Sequence, residues 1–243
     1  MHENWLTELF NEYLAGPANA ALSLFNQPAA DPKHPWESWL VMELLVVAIL
    51  VVLVAILRPS LSADKPGKLQ HIFETLYGFL RNQASDVGVE HPDKYINWFG
   101  TIFITILTMN LIGIIPLFES PTMYVYVPAA LAAMTWLYYH SQSISELGPA
   151  KYFVKFFGPI WWLAPLMFFI EIIGDVARML SLSVRLYGNM FAGEQITNVF
   201  IALTYLIIPV LFMGLHVFVS FLQAYVFTLL TMIYLSLGTS QEH

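Results

Sequence analysis

Residues 179–194 read MLSLSVRLYGNMFAGE, and they place one guanidinium, that of Arg185, in the middle of a long apolar run. An arginine near a bilayer centre costs roughly 2.5–3.5 kcal/mol on insertion scales. It cannot escape by losing its proton, because its pKa stays above about 12. A chain that keeps such a residue uses the charge, so the reading starts from a membrane protein with an ion or proton path around Arg185. The rest of the composition agrees. Of 243 residues, 58% are hydrophobic and 11% are charged, whereas soluble domains average about 25% charged. Cysteine is absent, which excludes disulfides and thiolate metal sites. There is no HExxH or comparable metal spacing, no P-loop and no GxSxG, so neither a metal, a cofactor nor a bond-making active site is expected. The medium is membrane lipid, and nothing points to nucleic acid.

Outward from Arg185, the pattern predicts an all-α integral membrane protein with five crossing helices and one amphipathic interfacial helix. A crossing takes about 20 apolar residues. The expected boundaries are a polar, turn-rich extramembrane arm over 1–38, helix 39–57, an interfacial helix 65–85, and helices 96–118 and 123–139. A polar loop follows over 141–157, then two blocks over 159–207 and 210–238. In 65–85, Leu69, Ile72, Phe73, Leu76, Phe79 and Leu80 fall on one face, with Lys68, His71, Glu74 and Arg81 on the other. The last two blocks are nearly twice as long as a crossing needs. Each is either one strongly tilted helix or hides a re-entrant turn, and Ile208-Pro209 is the expected break between them. With the N-terminus outside and the C-terminus inside, Arg58, Lys65, Lys68, Arg81, Lys94, Lys151 and Lys155 all fall on the cytoplasmic side and Lys33 alone falls outside, as the positive-inside rule requires. The acidic start has no basic n-region of a signal peptide.

At 100° per residue, Glu171, Asp175, Arg178, Ser181, Arg185 and Asn189 form one helical stripe. Glu194 lies half a turn out of phase with Arg185 and roughly 13 Å further along the axis. A charge and a carboxylate on opposite faces suit two separate aqueous approaches. His216 and Gln223, seven residues apart, share a face of the last helix, with Ser220 between them. Histidine exchanges a proton near neutral pH, which makes Glu194 and His216 a candidate relay pair. Arg178 and Glu171 read first as structural partners. Asn110 reads first as a helix-bridging amide and second as part of the path. A secondary transporter using Arg185 to bind an anionic substrate is the alternative, but no internal repeat supports it. A third reading is an assembly scaffold with its charges buried at helix contacts.

The stretch from Ser181 to Glu194 closely resembles the signature of subunit a of F-type ATP synthases, roughly S-L-x-x-R-L-[FY]-G-N-[MI]-x-A-G-E. The resemblance extends to Gly158-Pro159-Ile160, to Leu163-Ala164-Pro165-Leu166, to Asn110 through Pro116, and to His216 through Phe227. It implies a proton-translocating stator subunit, itself non-catalytic, beside a rotating ring of c subunits. In that role Arg185 meets each ring carboxylate and separates two offset half-channels. Glu194 and His216 then belong to the outer half-channel, while Asn189 and Gln223 line the site near the arginine. The implied partners are the c-subunit ring, the b-subunit peripheral stalk and the remaining synthase subunits, and the implied location is the bacterial inner membrane. The resemblance also favours long tilted helices for the last two blocks. Three places depart from it: Met179 stands where many relatives carry proline, Tyr124 to Pro128 stand where many carry Asn or Thr, and Gly113 stands where some carry an acid.

Overall fold

A computed structural model describes residues 5–24, 31–62, 67–115, 118–155, 157, 162–203 and 207–239. Its elements are α1 (Trp5–Leu24), α2 (Ser38–Ser60), α3 (Lys68–Asp86), α4 (Pro92–Ile112), a 3₁₀ turn (Pro121–Met123), α5 (Tyr126–Leu147), α6 (Pro149–Lys155), α7 (Ala164–Leu203) and α8 (Ile207–Thr239). No strand occurs among the described residues.

Three of these helices are both long and apolar enough to cross a bilayer, over Ser38–Pro59, Pro92–Ile112 and Val210–Thr239. Helices α5 and α7 have the length, but α5 carries Thr135 and His140, and α7 carries Glu171, Asp175, Arg178, Arg185 and Glu194. The same polar groups that mark the site lower their apolarity.

The two long blocks are continuous helices. α7 has 40 residues and α8 has 33, so α7 is roughly 60 Å long at 1.5 Å per residue. Neither contains a re-entrant turn. Pro209, part of the expected break, lies in the first turn of α8 instead, where a missing N–H costs no intrahelical bond. The connection itself, 204–206, is outside the described residues, as are Pro116, Lys65 and Gly158 to Ile160.

Two expectations fail. The N-terminal arm is helical over most of its length, and Gly16-Pro17 lies inside α1 rather than at a turn. A turn does form at Asp31, whose carboxylate accepts from the amide of Lys33 at 2.9 Å; Asn26 to Pro28 lie outside the described residues. The polar segment 141–157 is also mostly helical. α5 runs on through its serines to Leu147, Gly148 turns the chain with φ 76°, and Pro149 opens α6. Ser143 is buried and back-bonds to the Tyr139 carbonyl at 2.7 Å, so its hydroxyl is satisfied inside the helix and does not break it.

The main core joins α3, α4, α5, α7 and α8 through Leu80, Phe99, Phe103, Leu186, Met190 and Phe227, all essentially inaccessible. A second cluster of Val46, Met109, Ile112 and Val127 fastens α2 to α4 and α5. Polar contacts gather several helix ends at one pole. Lys94, at the start of α4, pairs with Glu146 near the end of α5 at 2.7 Å. Lys155 donates to the carbonyls of Leu237 and Gly238 at the end of α8. Ser236 donates to the carbonyl of Gly88 at 2.9 Å, and Gly88 takes φ 83° to turn the chain out of α3. Gln70 of α3 accepts from the Ser62 amide, just past α2, at 3.0 Å. This is the pole that carries most of the lysines and arginines. The 3₁₀ turn lies at the opposite pole, so α4 and α5 run antiparallel across the core.

Candidate functional site

Arg185 lies midway along α7 on its exposed side. Its one described polar contact is Nη2 to the Ser181 hydroxyl, one turn back, at 3.4 Å. No carboxylate forms an ion pair with it among the described residues. Around it α7 and α8 present large apolar side chains outward, including Leu180, Val184, Phe218 and Leu222. Among the described residues Arg185 is therefore a cation without an acidic partner, on a largely apolar face that it shares with Ser181 and Asn189. One turn onward, Asn189 Nδ2 donates to Gln223 Oε1 of α8 at 2.8 Å and ties the two long helices together beside the arginine.

Glu194 faces away from that surface, as its half-turn offset requires. Its carboxylate lies near the backbone amide of Ser120 and near Glu119. Glu119 in turn accepts from the Tyr124 hydroxyl at 2.6 Å. Ser120 donates its hydroxyl to the Met109 carbonyl at 2.9 Å and shares a 2.7 Å contact with Thr122, which donates to Asn110 Oδ1 at 2.7 Å. Asn110 reaches the Ser220 carbonyl at 3.5 Å. His216 is buried, and a Cβ on Gly193 would stand 3.6 Å from its ring. Gly193, the residue before Glu194, thus packs against the His216 ring, and no hydrogen bond joins Glu194 to His216 among the described residues. Of the buried side-chain atoms without a hydrogen-bond partner among the described residues, four belong to this part of α7 and α8: Glu194 Oε2, His216 Nε2, Ser220 Oγ and Gln223 Nε2.

The lower part of the stripe is different. Asp175 is buried and accepts from the Tyr139 hydroxyl, with Nε2 of His140 at 2.8 Å and Nη1 of Arg178 at 3.2 Å. His140 Nδ1 pairs with the Tyr152 hydroxyl, and Arg178 also reaches Glu171 at 3.5 Å. This cluster clasps α5, α6 and α7 around a cavity of about 220 Å³ that also touches Lys155 and Tyr234. Burial lowers the Lys155 ammonium's pKa, and Glu171 partly offsets that. Arg178 and Glu171 form an ion pair, but Asp175, not Glu171, is the centre of the cluster.

Arg185, Asn189 and Gln223 are brought together on one side, and Glu194, His216, Ser220 and Asn110 on the other. Reasoning from sequence missed Glu119, Ser120 and Thr122, and it missed Tyr139 and His140. The available signal was the density of hydroxyls and an acid immediately after the Asn110 helix. Those groups, with Tyr124 just ahead of α5, supply the polar surroundings of Glu194.

Comparison with known proteins places these residues in a family. The model of the ATP synthase A chain matches residues 40–236. The chain is 52% identical to ATP synthase subunit a of Solibacter usitatus, across 97% of this chain and 100% of that protein. It is 44% identical to the same subunit of Koribacter versatilis, across 100% and 99%. With that of Geobacter sulfurreducens the identity is 40% over 82% of this chain and 86% of that one.

Proposed function

The chain belongs to the ATP synthase subunit a family, and from that membership we propose that it is the stator through which protons cross the membrane against a rotating ring of c subunits. The observation that carries the reading is Arg185, a permanent cation with no acidic partner among the described residues, exposed on an apolar face. Such a charge needs its counter-ion from outside the chain. A carboxylate arriving on a neighbouring subunit supplies one.

In lipid, that carboxylate stays protonated because desolvation disfavours its charge. Beside Arg185 the ionised form is favoured, so the proton leaves. Arginine serves better than lysine here, since a buried lysine can itself neutralise. Its fixed charge also repels any proton moving straight along α7. Glu194 and His216, with Ser220 and Asn110, form the outer approach, and Gln223, bonded to Asn189, lines the site near the arginine. Asn189 and the Glu171–Asp175–Arg178 stripe adjoin the inner approach. One elementary charge crossing 100 mV is worth about 2.3 kcal/mol, and repeated transfer turns the ring. Bond chemistry on nucleotide belongs to other subunits, and a peripheral b subunit would hold the stator still.

In this arrangement α2, α4, α5, α7 and α8 cross the bacterial inner membrane, α3 lies along its cytoplasmic surface, and the N-terminus is outside. The test is ATP-driven proton pumping by inverted vesicles carrying Arg185→Gln, with assembly checked by blotting. Loss of pumping in an assembled complex is the expected result. Coupled pumping at the wild-type rate would overturn the gate.

A further inference from the structure

Helix α1 is built inside out. Its polar side chains Thr7 and Asn11 are 2% and 6% exposed, while Trp5, Leu9 and Tyr13 are 49%, 46% and 71% exposed. The buried pair docks on the entry to α2. Asn11 exchanges two hydrogen bonds with the backbone of Trp36, at 3.1 and 2.9 Å, and Thr7 reaches the Ser38 hydroxyl at 3.4 Å. Trp36 Nε1 adds a bond to the Leu14 carbonyl at 3.0 Å. A helix in water places its residues the other way round.

The angular order around the axis is sharper still. Taking Trp5 as zero, Leu9 and Tyr13 lie at roughly 40° and 80°, Thr7 and Asn11 at roughly 200° and 240°, and Glu8 and Glu12 at roughly 300° and 340°. The helix thus has three sectors: apolar and aromatic, protein-bound, and acidic. Helix α2, on which it docks, is among the most exposed apolar surfaces of the molecule, with Val51 and Val54 at 62% and 61%. Helix α1 therefore docks, through Trp36 and Ser38, at the entry to a helix whose apolar surface meets lipid. Aromatic residues of mixed character, such as Trp5 and Tyr13, favour the lipid–water boundary.

We propose that α1 is a membrane-surface helix, lying at the lipid–water boundary beside the N-terminal end of α2. Trp5, Leu9 and Tyr13 enter the lipid, Glu8 and Glu12 face water, and Thr7 and Asn11 hold the helix to the protein. Only the membrane character of the chain is required; the role of Arg185 is not.

The chain has no cysteine, so single-cysteine variants report cleanly once the partner subunits' cysteines are replaced. Nitroxide labels at Leu9→Cys, Tyr13→Cys, Glu8→Cys and Glu12→Cys are read in the assembled complex, in phosphatidylethanolamine–phosphatidylglycerol vesicles, by collision with oxygen and with a water-soluble nickel chelate. Labels at 9 and 13 should favour oxygen severalfold, and labels at 8 and 12 should favour nickel. Equal nickel access at all four sites would put α1 in water and overturn the proposal. Labels at 9 and 13 that are immobile and shielded from both quenchers would overturn it in favour of a protein partner.

Discussion

Arg185 and Glu194 make opposite demands on their surroundings. The arginine needs a charge that the described chain does not supply, whereas the carboxylate lies beside the Ser120 turn and its linked hydroxyls. Arg185→Lys keeps the charge but loses the planar fork and can deprotonate, so pumping per assembled complex should fall at least about tenfold, a barrier rise of ~1.4 kcal/mol. Fluorescence quenching in inverted vesicles measures this. Glu194→Gln keeps shape but cannot carry a proton, and its pumping should also fall about tenfold, with assembly unchanged. Gly113 makes a subtler demand. A Cβ there would stand 2.8 Å from Ser120 Cβ and 3.0 Å from its backbone nitrogen. Gly113→Ala must therefore push the backbone that holds Glu194, at a cost of about 1–3 kcal/mol. Thermal stability of the purified complex should drop and pumping should weaken with it. An acid at this position, as some relatives carry, would need a different turn.

Among the elements, α7 does two jobs along its length. Its first half is clasped through Asp175 to Tyr139, His140 and Arg178; its second half leaves Arg185 open on one face and, on the other, Glu194 Oε2 without a hydrogen-bond partner among the described residues. Removing one member of a buried ionic cluster costs about 3–5 kcal/mol. Asp175→Asn should accordingly reduce the yield of assembled complex and its thermal midpoint, while the complexes that do assemble pump at nearly the normal rate. That split separates clasp from path, since Glu194→Gln should show the reverse. The stripe itself was legible in sequence because helical phase depends only on spacing. The phase of His216 with Gln223 was legible for the same reason, and so was the amphipathic order of α3. The clasp was not legible: Tyr139, His140 and Asp175 are far apart in the chain, and only tertiary packing brings them together. Helical character in α1 and in 141–147 was hidden by composition. Gly16-Pro17 and the run of serines read as breakers, but docking of Asn11 on Trp36 and back-bonding by Ser143 outweigh propensity.

Across the whole molecule, the two poles differ in charge. One gathers Lys94, Lys151, Lys155 and the ends of α5 and α8; the other holds Glu119 and Glu194 at the turn between α4 and α5. Arg185 stands between them, and in the proposed function a proton entering at one pole and leaving at the other exchanges past it. Direction therefore hangs on which pole faces the cytoplasm. The excess of lysine and arginine assigns the basic pole to that side. Lys33 and Lys151 are both exposed and lie on opposite sides in this assignment. In inverted vesicles, a membrane-impermeant maleimide should label Lys151→Cys at once and Lys33→Cys only after permeabilisation. Labelling in the reverse order would turn the molecule over. Glu194 would then open to the cytoplasm, and the outer and inner approaches would exchange places around an unchanged arginine.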